Sequence, residues 1–127
     1  MASGAASVVS KFASKPFIQK ALQNPSSPES VLSFFFGVDY SNQTQVESDI
    51  HQGHCLSAMS GLWFGGGPEY DELCQPFRDV VRAAGNKEVP RDPWATTVDG
   101  VMAQMILCDQ ISRQLFRGTP EAFAYDA

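Results

Sequence analysis

"TTVDGVMAQMILCDQISRQLFRG", Thr96 to Gly118, is the stretch whose reading decides the fold. It opens as a helix does, with Thr96 or Thr97 as N-cap and Asp99, three after Thr96, in a loose capping box. Gly118 closes it. At about 100° per residue, Val98, Met102, Met105, Ile106 and Phe116 fall within roughly 60° of Asp109 on the helical wheel. Arg113 lies in the same stripe, about 40° from Asp109. Leu107, Ile111 and Leu115 take the opposite side, so this helix reads as apolar nearly all round and sandwiched between neighbours.

Asp109 and Arg113 are the exceptions in that stripe. They stand one turn apart with acid before base, the favourable order for an ion pair on a helix. A charge buried alone costs several kcal/mol, so the expected arrangement is a semi-buried pair that fixes helix register. On that reading Arg113→Ala strands Asp109 at a cost of ~3–5 kcal/mol. A functional reading competes with it. Arg113 and Arg117, one turn apart, would hold a carboxylate or phosphate of a small ligand while Asp109 and Gln110 orient them. Trp63 and Trp94, each at an element boundary, would then serve as a lid, although aromatic anchors at such places ordinarily pack into a core.

Two more helices are legible upstream. Ser27-Pro28-Glu29 is a cap, a first-position proline and a first-turn acid, opening a helix through "SVLSFFF" to Gly37. In "GGGPEYDELCQPFRDVVRAAG", Gly65 to Gly85, Pro68 opens a helix and three acids fill its first turn. Tyr70, Leu73, Phe77, Val80, Val81 and Ala84 share one face, and Gly85 ends it. Pro76 sits inside this helix and removes the hydrogen bond to the Glu72 carbonyl, so a bend is predicted there. Val38 to Ser60 reads mainly as a long connection. After Gly118, Thr119-Pro120-Glu121 carries a further start signal.

The N-terminal 28 residues contain no acid and are rich in Ser, Ala and Lys. They read either as a transit-type targeting segment or as a flexible extension, and only "FIQKAL" has helical character. The domain is therefore drawn from residue 29 to 127.

Charge and cysteine usage narrow the function classes. Lys11, Lys15 and Lys20 face Glu29 alone in the first thirty residues, which leaves six basic and thirteen acidic residues in the rest. A folded part that acidic repels phosphate backbones, so nucleic acid is not an expected partner. The longest apolar run, "VLSFFFGV", falls far short of the roughly 18 residues of a membrane span. Three cysteines, Cys55, Cys74 and Cys108, cannot all pair within the chain. With no secretory signal, they point to a reducing compartment: the cytoplasm, or an organelle if residues 1–28 act as a transit peptide.

Other chemistry is sparse. His51, His54 and Cys55 have helical i, i+3, i+4 spacing, which puts three metal ligands on one face. A fourth would be Asp49, Cys74 or Cys108, and scattered surface histidines explain the trio more simply. The Gly65–Gly67 run has no Gly-Lys-Ser/Thr after it and three acids where an anion would sit, so it reads as a hinge. Cys108 beside the Asp109 carboxylate is a poor nucleophile. No motif calls for a cofactor, and neither a nucleophile triad nor a paired-carboxylate site is present.

The segments "VLSFFFG", "LWFGGGPEYDELCQPF" and "PWATTVDGVMAQMILCDQISRQLFRGTPEAFAYDA" together resemble the domain-of-unknown-function 924 family. The last block is the specific one, with Asp109, Gln110, Arg113, Arg117, Gly118 and Thr119 matching, as do Ala122, Phe123 and Asp126. Phe35 stands where that family usually has Trp, and Ile111-Ser112 where it has Phe-Pro. The resemblance covers roughly residues 29–127. It implies an all-α, tetratricopeptide-like antiparallel helical array with no assigned reaction, of which this chain is the N-terminal part. The leading functional expectation is thus a non-enzymatic helical interaction module with a protein partner. The alternative is a small-anion-binding enzyme or sensor built on the Asp-Arg-Arg cluster.

Overall fold

The computed structural model describes residues 8–44, 46–47, 59, 61–63, 65 and 67–125. They form an all-α protein, with no strand among the described residues. The helices are α1 (Val8–Ala13), α2 (Pro16–Gln23), α3 (Pro28–Phe36), α4 (Gly67–Leu73), α5 (Arg78–Gly85), α6 (Arg91–Trp94), α7 (Val98–Ile106) and α8 (Ser112–Leu115). No helix among the described residues is long and apolar enough to cross a membrane.

Local signals place most of these boundaries. Ser27 is extended (φ −129°, ψ 148°), and its hydroxyl accepts the Ser30 N–H at 3.2 Å, capping α3. At the other end Gly37 takes the left-handed conformation (φ 68°) and donates its N–H to the Ser33 carbonyl at 2.9 Å. Any side chain is disfavoured at that φ. Pro76 interrupts its helix as predicted. α4 ends at Leu73, Gln75–Phe77 form a single 3-10 turn, and α5 resumes at Arg78. Thr97 rather than Thr96 caps α7, accepting the Gly100 N–H at 2.9 Å. The Thr96 hydroxyl instead donates to Asp92 at 2.7 Å.

The core is organised around Phe34. Its ring stacks on Tyr70 (centroids 5.7 Å, planes 6° apart), meets Phe12 edge-on at 5.7 Å and touches Phe77 at 4.7 Å. One α3 side chain thereby joins α1, α4 and the 3-10 turn, and offset and edge contacts of this kind add to the burial of the rings themselves. Trp94, Leu107 and Ile111 are also fully buried. Gly100 lets α7 approach α6, because a Cβ there would lie 2.7 Å from the Trp94 Cα.

Part of the N-terminal segment packs into the fold. Residues 8–23, set apart above as part of an extension, form α1 and α2 and bury Val9, Phe12, Ile18 and Ala21 in the core. α2 packs on α3. Its apolar positions pack on this chain's own core, so for these residues the packing boundary lies well before residue 29. The helix start at Thr119 also differs in kind. The Thr119 hydroxyl donates to the Phe116 carbonyl (2.6 Å) instead of capping, and Pro120–Phe123 form a 3-10 turn.

Candidate functional site

The helix from Thr97 to Phe116 is not regular. Between α7 and α8, Leu107–Ile111 form one π-helical turn, which inserts an extra residue into the winding. Side chains beyond it are rotated by about 100° relative to a straight wheel. That rotation overturns the expected faces. Phe116 is buried, whereas Val98, Met102 and Met105 point to solvent. The buried side of the helix is Gly100, Ala103, Ile106, Leu107, Ile111, Ser112 and Leu115. Ser112 is satisfied there, its hydroxyl donating to the Cys108 carbonyl at 2.7 Å.

Asp109 lies in the π turn and does pair with Arg113, Nη1 to Oδ1 at 2.7 Å. The pair is not in the core: the two side chains are 56% and 34% exposed. Gln110 donates to the second Asp109 oxygen at 2.7 Å, and the Arg113 guanidinium lies 4.9 Å from the centre of the Phe123 ring. Asp109, Gln110 and Arg113 are therefore one surface cluster, with each Asp109 carboxylate oxygen accepting from one of the other two side chains.

Arg117 does not join them. Its Nε and Nη2 grip the Asp71 carboxylate at 2.7 and 3.1 Å, and Nη2 also donates to Gln114 at 2.6 Å. This fork ties the end of α8 to α4, and the hydrogen bonds to Asp71 raise the guanidinium pKa further. The tryptophans take structural positions. Trp94 is buried, and its carbonyl accepts from Gln104 at 2.8 Å. Trp63 stacks on Phe35 (4.5 Å, 11°) and donates its indole N–H to the Phe35 carbonyl at 2.9 Å.

A second ionic cluster has no counterpart in the sequence reading. Arg82 on α5 donates Nε and Nη2 to the two Glu121 oxygens at 2.8 and 3.0 Å, and Tyr125 donates its hydroxyl to Glu121 at 2.6 Å. These bonds, Arg82's first, hold the Glu121 carboxyl down at about 2. Arg82 also covers the Phe116 ring at 5.0 Å. Glu121 reads locally as a first-turn acid, and nothing in the sequence links it to a residue 39 positions earlier.

Two concavities flank the outer side of α7. One, about 610 Å³, is walled by Phe36, Ala84, Met102, Met105, Ile106 and Tyr125, with Lys87, Gln104, Asp109 and Gln110 as its polar groups. The other, about 510 Å³, is bounded by Ala95–Val98, Val101, Met102 and Met105. Met102 and Met105 form the ridge common to both. Of the six candidate residues, the larger concavity takes only Asp109 and Gln110.

Among the described residues no three His, Cys, Asp or Glu side chains lie close enough to hold a metal ion. The His51, His54 and Cys55 trio lies outside the described residues. The Cys74 thiol is buried, and burial first, then Asp71, pushes its pKa far up. It is a core side chain rather than a nucleophile.

The fold and site describe an all-α helical protein with a solvent-facing apolar ridge and ionic clusters that knit its helices together. Residues 31–127 match the family model described as "bacterial protein of unknown function (DUF924)", and the chain belongs to that family. No curated protein and no solved structure matches the chain.

Proposed function

We propose that this chain is a non-enzymatic interaction module, tetratricopeptide-like in its helical scaffold, that docks an apolar helix of a partner protein along the outer side of α7. One observation carries the reading. Val98, Val101, Met102 and Met105 occupy i, i+3, i+4 and i+7 and are 79%, 46%, 38% and 65% exposed. That spacing is the seam by which a helix buries itself against another element. Here it faces water, while the opposite side of the same helix is already packed. The concavities on either side are grooves into which the ridge of a second helix fits. Methionine suits such a surface because its unbranched thioether adapts to different partner shapes. The net charge of −5 favours a partner whose apolar helix is flanked by Lys or Arg, through electrostatic steering.

The anion-binding alternative has weaker support. Arg113 and Arg117 are each engaged by a carboxylate, on Asp109 and Asp71 respectively.

A photoreactive side chain at Val101 tests the docking. Crosslinks are expected to a partner protein, at residues recurring every three or four along one of its helices, and not from the same group placed at exposed Lys11. Crosslinking no stronger than from Lys11, or contact points without helical spacing, would overturn the reading. Crosslinks to a second copy of this chain would replace the foreign partner with self-association.

A further inference from the structure

Two of the four seam residues are thioethers. Met105 is 65% exposed and Met102 38%, whereas Met59 is 3% exposed and lies against Gly37. A thioether at the surface is open to two-electron oxidants, and one sealed in a core is not. Resting on the docking reading above, we infer that Met105 and Met102 form a peroxide-responsive modification site that switches the seam off.

The chemistry is a single oxygen transfer. The methionine sulfur attacks one oxygen of hydrogen peroxide, an S–O bond forms as the O–O bond breaks, and the departing hydroxide takes the remaining proton and leaves as water. Sulfur is oxidised by two electrons and the peroxide is reduced by two. The product places a strong hydrogen-bond acceptor on the ridge where a partner helix would offer only hydrocarbon, and an acceptor buried without a donor opposes docking. In the undocked chain that oxygen is free to accept hydrogen bonds from water, and the ammonium of Lys87 lines the same concavity. A docked helix covers both sulfurs, so docking and oxidation exclude each other. The fold itself is not at stake, because the residues that anchor α7 are Gly100, Ala103 and Ile106 on its other side.

Dilute hydrogen peroxide applied to the intact folded chain, followed by peptide mass mapping, reads the site directly. Oxygen is expected on Met105 first, then Met102, with Met59 last. Crosslinking from residue 101 should then fall at least about tenfold. It should recover after treatment with methionine sulfoxide reductases of both stereospecificities. The variant Met102→Leu/Met105→Leu keeps the seam apolar and should crosslink equally before and after peroxide. Oxidation of Met59 at the rate of Met105, undiminished crosslinking by the oxidised chain, or a peroxide response that survives in the leucine variant and so traces to another sulfur of the chain would each overturn the inference. If untreated protein gives no crosslink above the Lys11 control, the docking reading fails and the switch with it. The order of methionine oxidation still decides the modification site by itself.

Discussion

Asp109 and Arg113 attract each other across 2.7 Å, but with solvent on one side that attraction competes with water and with the entropy of two long side chains. Arg113→Ala is accordingly expected to lower unfolding free energy by less than about 1 kcal/mol, the range of exposed i,i+4 pairs. Urea denaturation of variant and parent checks this, and a loss near the ~3–5 kcal/mol of a buried pair would return Asp109 to the core. Glu121 is the carboxylate with more at stake. Its folded pKa of about 2 lies below its ordinary 4.5, because Arg82 and then Tyr125 bond to the charged form. A depressed folded pKa stabilises the native state above the unfolded value, and the stabilisation is lost as pH falls through the folded one. The stability difference between parent and Glu121→Gln should therefore be greatest above pH 4.5 and shrink toward pH 2. A difference independent of pH across that window would show that the clamp is not ionic. The Asp109–Arg113 pair was legible in the sequence because four-residue spacing on a helix is local. The Arg82–Glu121 and Arg117–Asp71 pairs were not, since only the packed fold brings α5 to the Pro120–Phe123 turn or α8 to α4.

Elements whose ends rest on a few neighbouring residues are readable in advance. Ser27-Pro28, Gly37, Pro76 and Gly118 each act locally: a cap hydroxyl, a left-handed φ, a missing N–H. Which face of an element is buried depends on more. In the Thr97–Phe116 helix a single π turn rotates everything after Leu107, so a wheel of constant pitch assigned Val98, Met105 and Phe116 to one face when they lie on two. No residue type in "LCDQI" announces that turn. The packing of α1 and α2 on the core was not legible for another reason. A short, lysine-bearing helix with Phe17, Ile18, Ala21 and Leu22 has the same composition whether its apolar side meets its own core or a targeting receptor, and only the burial of Ile18 and Ala21 distinguishes the two. Of the candidate site the residue types and the helical spacing are legible in the sequence but not the placement: Asp109 and Gln110 border a concavity, while Arg117 and Trp94 hold the scaffold together.

At the scale of the molecule, helix α7 is asymmetric in an informative way. One side is closed by the core; the other carries an apolar seam at helical spacing between two grooves. Large exposed side chains gathered in a row are the part of a surface that calls for an interaction, whereas the same residues scattered singly would call for none. The most direct measurement is crosslinking from residue 101 in Val98→Lys/Met105→Lys beside the parent, with the unfolding midpoint recorded for both. The account predicts an unchanged midpoint, because neither side chain supports the core, and loss of the crosslinks. A midpoint that collapses, or crosslinks that persist through two lysines on the seam, would contradict it.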